Sequence, residues 1–164
     1  MSETARTERY ATTPIQKTAL VVGIIFLLVG IAGFVPGVTH SAEHLHGAGA
    51  GSEAHLLGIF QVSVFHNLVH LAFAVAGIAL AARARTARLY LIIGGLMYLL
   101  VWLYGLFAVG NEQLNILPVN DADNWLHLGL AVGMVLLGIF VNRAPRVSDN
   151  GSRAAGVTHT DVEG

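Results

Sequence analysis

Apolar and polar positions alternate along this chain on the scale of whole helices. Four apolar stretches, 18–35, 57–81, 89–110 and 124–141, meet or approach the about 20 residues that a helix needs to cross a bilayer core. The first ends at Pro36-Gly37, the second runs into Arg83-Ala84-Arg85, the third stops near Gly110-Asn111-Glu112, and the fourth ends at Asn142-Arg143-Ala144-Pro145. The second stretch breaks the pattern in its outer half. There Ser63, His66, Asn67 and His70 follow the i, i+3, i+4, i+7 spacing of one helix face. Polar groups at membrane depth are expensive and face the protein interior or a water-filled cavity, so any chemistry is expected along this stripe.

Each stretch can be given an inward seam. The second offers Ser63, Asn67, His70, Ala74, Gly77 and Ala81, polar at its outer end and small towards the other. The first offers Ala19, Gly23, Phe26, Gly30 and Gly33, and the third Gly94, Tyr98, Val101, Gly105 and Ala108. The fourth offers Asn120, Asn124, His127, Ala131, Met134 and Gly138, with Asn120 as a cap and Asp121 and Asp123 in the first turn. Small residues let helices approach closely in lipid, and the expected sum is an all-α, up-and-down four-helix membrane bundle. The expected organisation is a polar tail over 1–17, a four-span domain over 18–142 and a polar, disordered tail over 143–164.

Composition places the chain in a membrane, with 54% hydrophobic and 12% charged residues. All Lys and Arg lie in the two tails or at Arg83, Arg85 and Arg88, while connections 36–56 and 111–123 carry only acids. The positive-inside rule then puts both termini and the central turn in the cytoplasm. Trp125 near an outer boundary and Tyr90 near an inner one fit the aromatic belts. The long polar leader and the long apolar run argue for a retained first helix rather than a cleaved signal peptide. A net charge of −1 with no basic block excludes a nucleic-acid partner, and the absence of cysteine excludes disulfides and thiolate metal sites.

Depth suggests which polar groups meet. With the second helix starting at residue 57, His66 and His70 lie about 13 to 20 Å below the outer boundary, level with Tyr98 and able to share hydrogen bonds with it. His127 lies only about 5 Å inside its span, nearer Ser63, with Asp123 one turn earlier to orient its ring.

The runs LLGIFQVSVFHNLVHLAFAVAGIAL (56–80), YLIIGGLMYLLVWLYGL (90–106) and NDADNWLHLGLAVGM (120–134) resemble the signature segments of a bacterial four-helix membrane family classed as domain of unknown function 4383. The HN-x-x-H element at His66, Asn67 and His70 and the DNWLH element from Asp123 to His127 carry most of the likeness, which covers about residues 15–142. The resemblance implies a four-pass protein of the bacterial plasma membrane and brings no established activity. Ala74 stands where the family pattern would put glycine.

The polar set Ser63, His66, Asn67, His70, Tyr98, Asp123 and His127 is therefore read first as interhelical hydrogen-bond glue, in a protein with a structural or partner-binding role. The expected partners are the lipid bilayer and a second copy or another membrane protein. Metal or haem binding by His66, His70 and His127 is the alternative, although the depths argue against pairing His127 with either other histidine in a haem, and no cofactor is expected on the first reading. A small-solute or proton-coupled transporter is the second alternative, disfavoured because the cytoplasmic half of every seam is small or apolar. The same asymmetry allows a pocket open to the outer side. His44 and His46, in a Gly-rich loop, are weak metal candidates. Gly129 and Gly133 form a GxxxG pair on the face opposite His127, where packing is the ordinary role and dimerisation the special one. No nucleophile, base and acid combine, so no enzyme is expected.

Overall fold

The computed structural model describes residues 9–49 and 51–141, so the tail expected over 143–164 and the first eight residues of the N-terminal tail lie outside the described residues. In chain order the elements are α1 (Pro14–Ala32), β1 (Thr39–His40), a 3-10 turn (Ala42–His44), β2 (His55–Leu56), β3 (Phe60–Gln61), α2 (Val64–Leu80), α3 (Ala84–Ala108) and α4 (Asp121–Phe140).

Two helix starts differ from the sequence expectation, and both are set by caps. The first helix begins at Pro14 rather than residue 18. Thr13 and Gln16 form a reciprocal capping box with Pro14 at the first helical position, and the Gln16 amide also donates to the Ala82 carbonyl at 3.0 Å. The second helix begins at Val64 rather than 57. Ser63 caps it by accepting from the His66 amide at 3.1 Å, and the carbonyls of His46 and Gly47 take the amides of Val64 and Phe65. The apolar run before Ser63 turns back at Leu57 and Gly58, both at positive φ, and supplies β3. A cap and a turn override an apolar run that is otherwise long enough to continue the helix.

The Gly-rich connection between α1 and α2 is folded. Strands β1, β2 and β3 pair antiparallel in that order, with Thr39 opposite Leu56 and Leu56 opposite Phe60. Ser52 sits buried beneath them and donates to the Val62 carbonyl at 2.6 Å, beside a small cluster of Ala54, Leu56 and Val62. The two outer connections are stitched together. The Gly49 amide donates to the Ile116 carbonyl at 2.7 Å, and the Asn120 amide group donates to the Ile59 carbonyl at 2.7 Å.

The helices associate chiefly as two pairs, α1 with α2 and α3 with α4. In the first pair a Cβ on Gly23 would stand 2.9 Å from the Ile78 nitrogen, and one on Gly33 would overlap the Asn67 amide. In the second pair a Cβ on Gly95 would stand 2.9 Å from the Ala131 carbonyl oxygen, and one on Gly105 would overlap the Asn124 amide. The pairs thus repeat one plan. Ser63, Asn67, His70 and Ala74 of the α2 region recur at the same spacing as Asn120, Asn124, His127 and Ala131 of α4, and Gly23, Phe26 and Gly33 of the α1 region recur as Gly95, Tyr98 and Gly105 of α3.

Three helices, α1, α3 and α4, are long and apolar enough to cross a membrane, and α2, with 17 residues, is the short one. The described surface between the helix ends is apolar, with Val75, Leu100 and Phe107 among the side chains more than three-fifths exposed. So extensive an apolar surface is abnormal in water and normal against lipid, as in a helical membrane protein. Tyr90, expected in an interfacial belt, is instead in the core, and its hydroxyl donates to the Phe73 carbonyl at 3.1 Å. Trp125 is exposed.

Candidate functional site: a histidine triad in the helix core

The start of α2 at Val64 changes the depth of its histidines. His70 and His127 each occupy the seventh position of their helices, so they stand at one level, and His66 lies one turn above. All three are buried. The ring centroids of His66 and His70 are 4.7 Å apart, and those of His66 and His127 5.8 Å apart. Tyr98 stands 5.4 Å from His127, Phe26 stands 5.5 Å from Tyr98, and His70 closes the circle at 5.8 Å from Phe26. Five rings from four helices therefore meet in a closed ring of neighbours. The expected separation of His127 from His70 disappears because it rested on a helix start that Ser63 moves.

One nitrogen from each of His66, His70 and His127 can be chosen so that all lie within 4.8 Å of one another. Around a tetrahedral ion with bonds near 2.0–2.1 Å such nitrogens would be about 3.3 Å apart. Among the described residues this is the one group of three or more His, Cys, Asp or Glu side chains so placed. His66 shows how one ligand would be held. Its Nδ1 lies 3.1 Å from the Pro118 carbonyl oxygen, which can only accept, so Nδ1 carries the hydrogen and Nε2 is left with its lone pair.

The other members of the polar set divide in two. Ser63 and Asp123 are helix caps. Asp123 accepts from the backbone amides of Gln61 at 2.9 Å and Asn120 at 3.0 Å, so the expected role of orienting His127 falls to no acid. Asn67 lies against Gly33, with both amide atoms lacking a hydrogen-bond partner. His70 Nδ1, His127 Nδ1 and the Tyr98 hydroxyl are likewise buried without one, so the bonds expected between Tyr98 and the α2 histidines do not form. The loop histidines stay apart from the triad. His44 Nδ1 faces Glu53 Oε2 at 3.3 Å, while His46 offers its backbone to α2. A Cβ on Gly129 or Gly133 would meet nothing within 4 Å, which puts both on the outside of α4.

A cavity of about 250 Å³ lies beside the triad, with His66, His70, Tyr98 and His127 in its wall and Met97 and Leu100 at its edge. Val69 and Phe73 of α2 and Val101 of α3 also line it, and Leu117 of the connection between α3 and α4 lies in its wall.

A family described as domain of unknown function (DUF4383) matches residues 16–140. The chain belongs to that family. No curated protein and no solved structure matches it. The matched range takes in α1 from Gln16 onward, the other three helices and the connections between them, so every residue of the triad lies within the family domain.

Sequence reasoning missed Pro118, whose carbonyl holds His66, and Phe26, which closes the ring of aromatic side chains. Neither carries a polar signal of its own. The recurrence of Phe26 as Tyr98, at equal distance from Gly33 and Gly105, was the clue available.

Proposed function

We propose that this protein is an up-and-down four-helix bundle of the bacterial plasma membrane, termini on the cytoplasmic side, in which His66, His70 and His127 bind one transition-metal ion. The observation that carries the reading is the convergence of three buried imidazoles from two helices within ligand reach, one of them already fixed by a backbone carbonyl. Hydrogen-bond glue, the first reading of the sequence, draws less support, because glue consists of hydrogen bonds and His70 Nδ1, His127 Nδ1, the Tyr98 hydroxyl and the Asn67 amide make none. A metal would use nitrogen lone pairs that hydrogen bonds do not.

Three imidazoles without thiolate or carboxylate suit zinc, copper or nickel and not calcium or magnesium, and they leave a fourth position open towards Tyr98 and the cavity. The test is metal analysis of protein purified in mild detergent, loaded with zinc or copper and dialysed. About one ion per chain is expected. His70→Ala and His127→Ala should each weaken binding by more than the roughly 10- to 100-fold that loss of an outer-shell partner costs, whereas His44→Ala and His46→Ala should change nothing. Wild-type protein that retains no stoichiometric ion at micromolar supply would sink the proposal.

A further inference from the structure

The cavity beside the triad adjoins a second one along the seam between α2 and α3. This neighbour, about 400 Å³, is a lipid-facing groove with Ala72, Ala76 and Leu89 in its walls, and it shares Phe73 and Met97 with the first. Between Thr86 and Met97 the groove follows α3 for about 16 Å at about 1.5 Å per residue. One leaflet of a hydrocarbon core about 30 Å thick spans about 15 Å, so the groove has the length of an acyl chain. No Lys, Arg, Asp or Glu lines either cavity. At the inner end stands the Tyr98 hydroxyl, buried and without a partner.

Charge selects the head of the molecule that fits. Three neutral imidazoles leave the whole charge of a bound cation uncompensated in a medium of low dielectric, which is costly unless an anion joins it. Asp123, the buried acid nearest in sequence, is committed to the amides of Gln61 and Asn120. Leu117 and Pro118 of the connection between α3 and α4 lie against the histidines, and the adjoining apolar groove offers the anion a way in from lipid that rejects a permanently charged head. A carboxylic acid meets both conditions, because it travels as the neutral acid and becomes an anion on binding.

We propose that the α2–α3 groove admits a long-chain carboxylic acid, whose tail lies along α3 between Thr86 and Met97 and whose carboxylate takes the open position of the ion held by His66, His70 and His127 while accepting a hydrogen bond from Tyr98. The acid's O–H bond breaks as its oxygen joins the metal, and the proton passes to a hydroxide held at that open position, which leaves as water. This inference rests on the metal reading. Met97, with its unbranched thioether, is the side chain best able to swing aside between the two cavities.

The experiment uses the full chain in mild detergent, with zinc content measured on every sample before calorimetric titration with dodecanoate and with dodecanol. Zinc-loaded protein should bind about one dodecanoate per chain, at least about tenfold more tightly than dodecanol, since a charge-assisted contact is worth that much. Tyr98→Phe should keep its zinc and lose roughly tenfold in dodecanoate affinity. Ala76→Trp, which fills the groove away from the histidines, should keep its zinc and lose dodecanoate binding, and Ala72→Trp at the groove's edge serves if the first variant does not fold. Equal binding of dodecanol and dodecanoate, or dodecanoate binding untouched in a zinc-retaining Trp variant, overturns the inference and leaves the metal site standing. Absence of zinc from the wild-type samples overturns both.

Discussion

The pairs α1–α2 and α3–α4 are built to one plan and part company at two positions that bear on the central cluster. In both, an Asn in the first turns of the second helix lies against a glycine at the end of the first, and a histidine one turn further along points to the centre. Where the first pair has His66 the second has Asp123, and where the first has Phe26 the second has Tyr98. The shared positions account for packing, since glycine against amide is a matter of volume. The unshared ones account for the chemistry. His66 adds a third imidazole to the two that the plan supplies, Asp123 spends its carboxylate on capping, and Tyr98 adds a hydroxyl to the ring of side chains that Phe26 completes without one.

The comparison is broken most forcefully at the glycines. Gly33→Val and Gly105→Val would each drive a side chain into an Asn amide, and each should destabilise the bundle by about 3 kcal/mol, the upper part of the usual range for overpacking. Thermal unfolding in detergent measures this, and a large loss at one glycine with none at the other would mean that the two pairs are not built alike.

A middling effect is expected at the caps, where the halves differ. Asp123→Ala leaves two half-buried backbone amides without an acceptor and should cost about 2 kcal/mol, whereas Ser63→Ala removes one cap bond and should cost about 1 kcal/mol. Equal losses would show that the second amide bond of Asp123, the one from Gln61 that ties β3 to α4, contributes little. The smallest effect belongs to the outer face of α4. Gly129→Ala and Gly133→Ala meet open space and should each stabilise the monomer by no more than about 1 kcal/mol, the difference in helix propensity. A larger shift that grows with protein concentration would instead reveal a second copy packed on that face.

Much of this was legible in the amino-acid order, and the misses have particular causes. The four helices follow from apolar runs, and Asn120 was readable as a cap because it precedes a periodic run with an acid three residues on. The capping boundary at Thr13-Pro14-Ile15-Gln16 carried the same kind of signal and was passed over for the apolar run behind it. The segment 57–63 was misread as helix because hydropathy does not distinguish an apolar strand from an apolar helical turn, and only Gly58 and Ser63 mark the break. That shift of the α2 start then misplaced His66 and His70 in depth.

Local chemistry along the chain settles which segments become helices, how they are capped and that their surfaces are apolar, because propensity, capping and hydropathy act over a few residues at a time. The meeting of His66 and His70 with His127, the carbonyl of Pro118 on His66 and the cavity between α2 and α3 belong to another scale. Each depends on how far one helix is displaced and turned against another. In this chain that relation is set by the folded outer connections and by glycines whose fit is a property of two surfaces together.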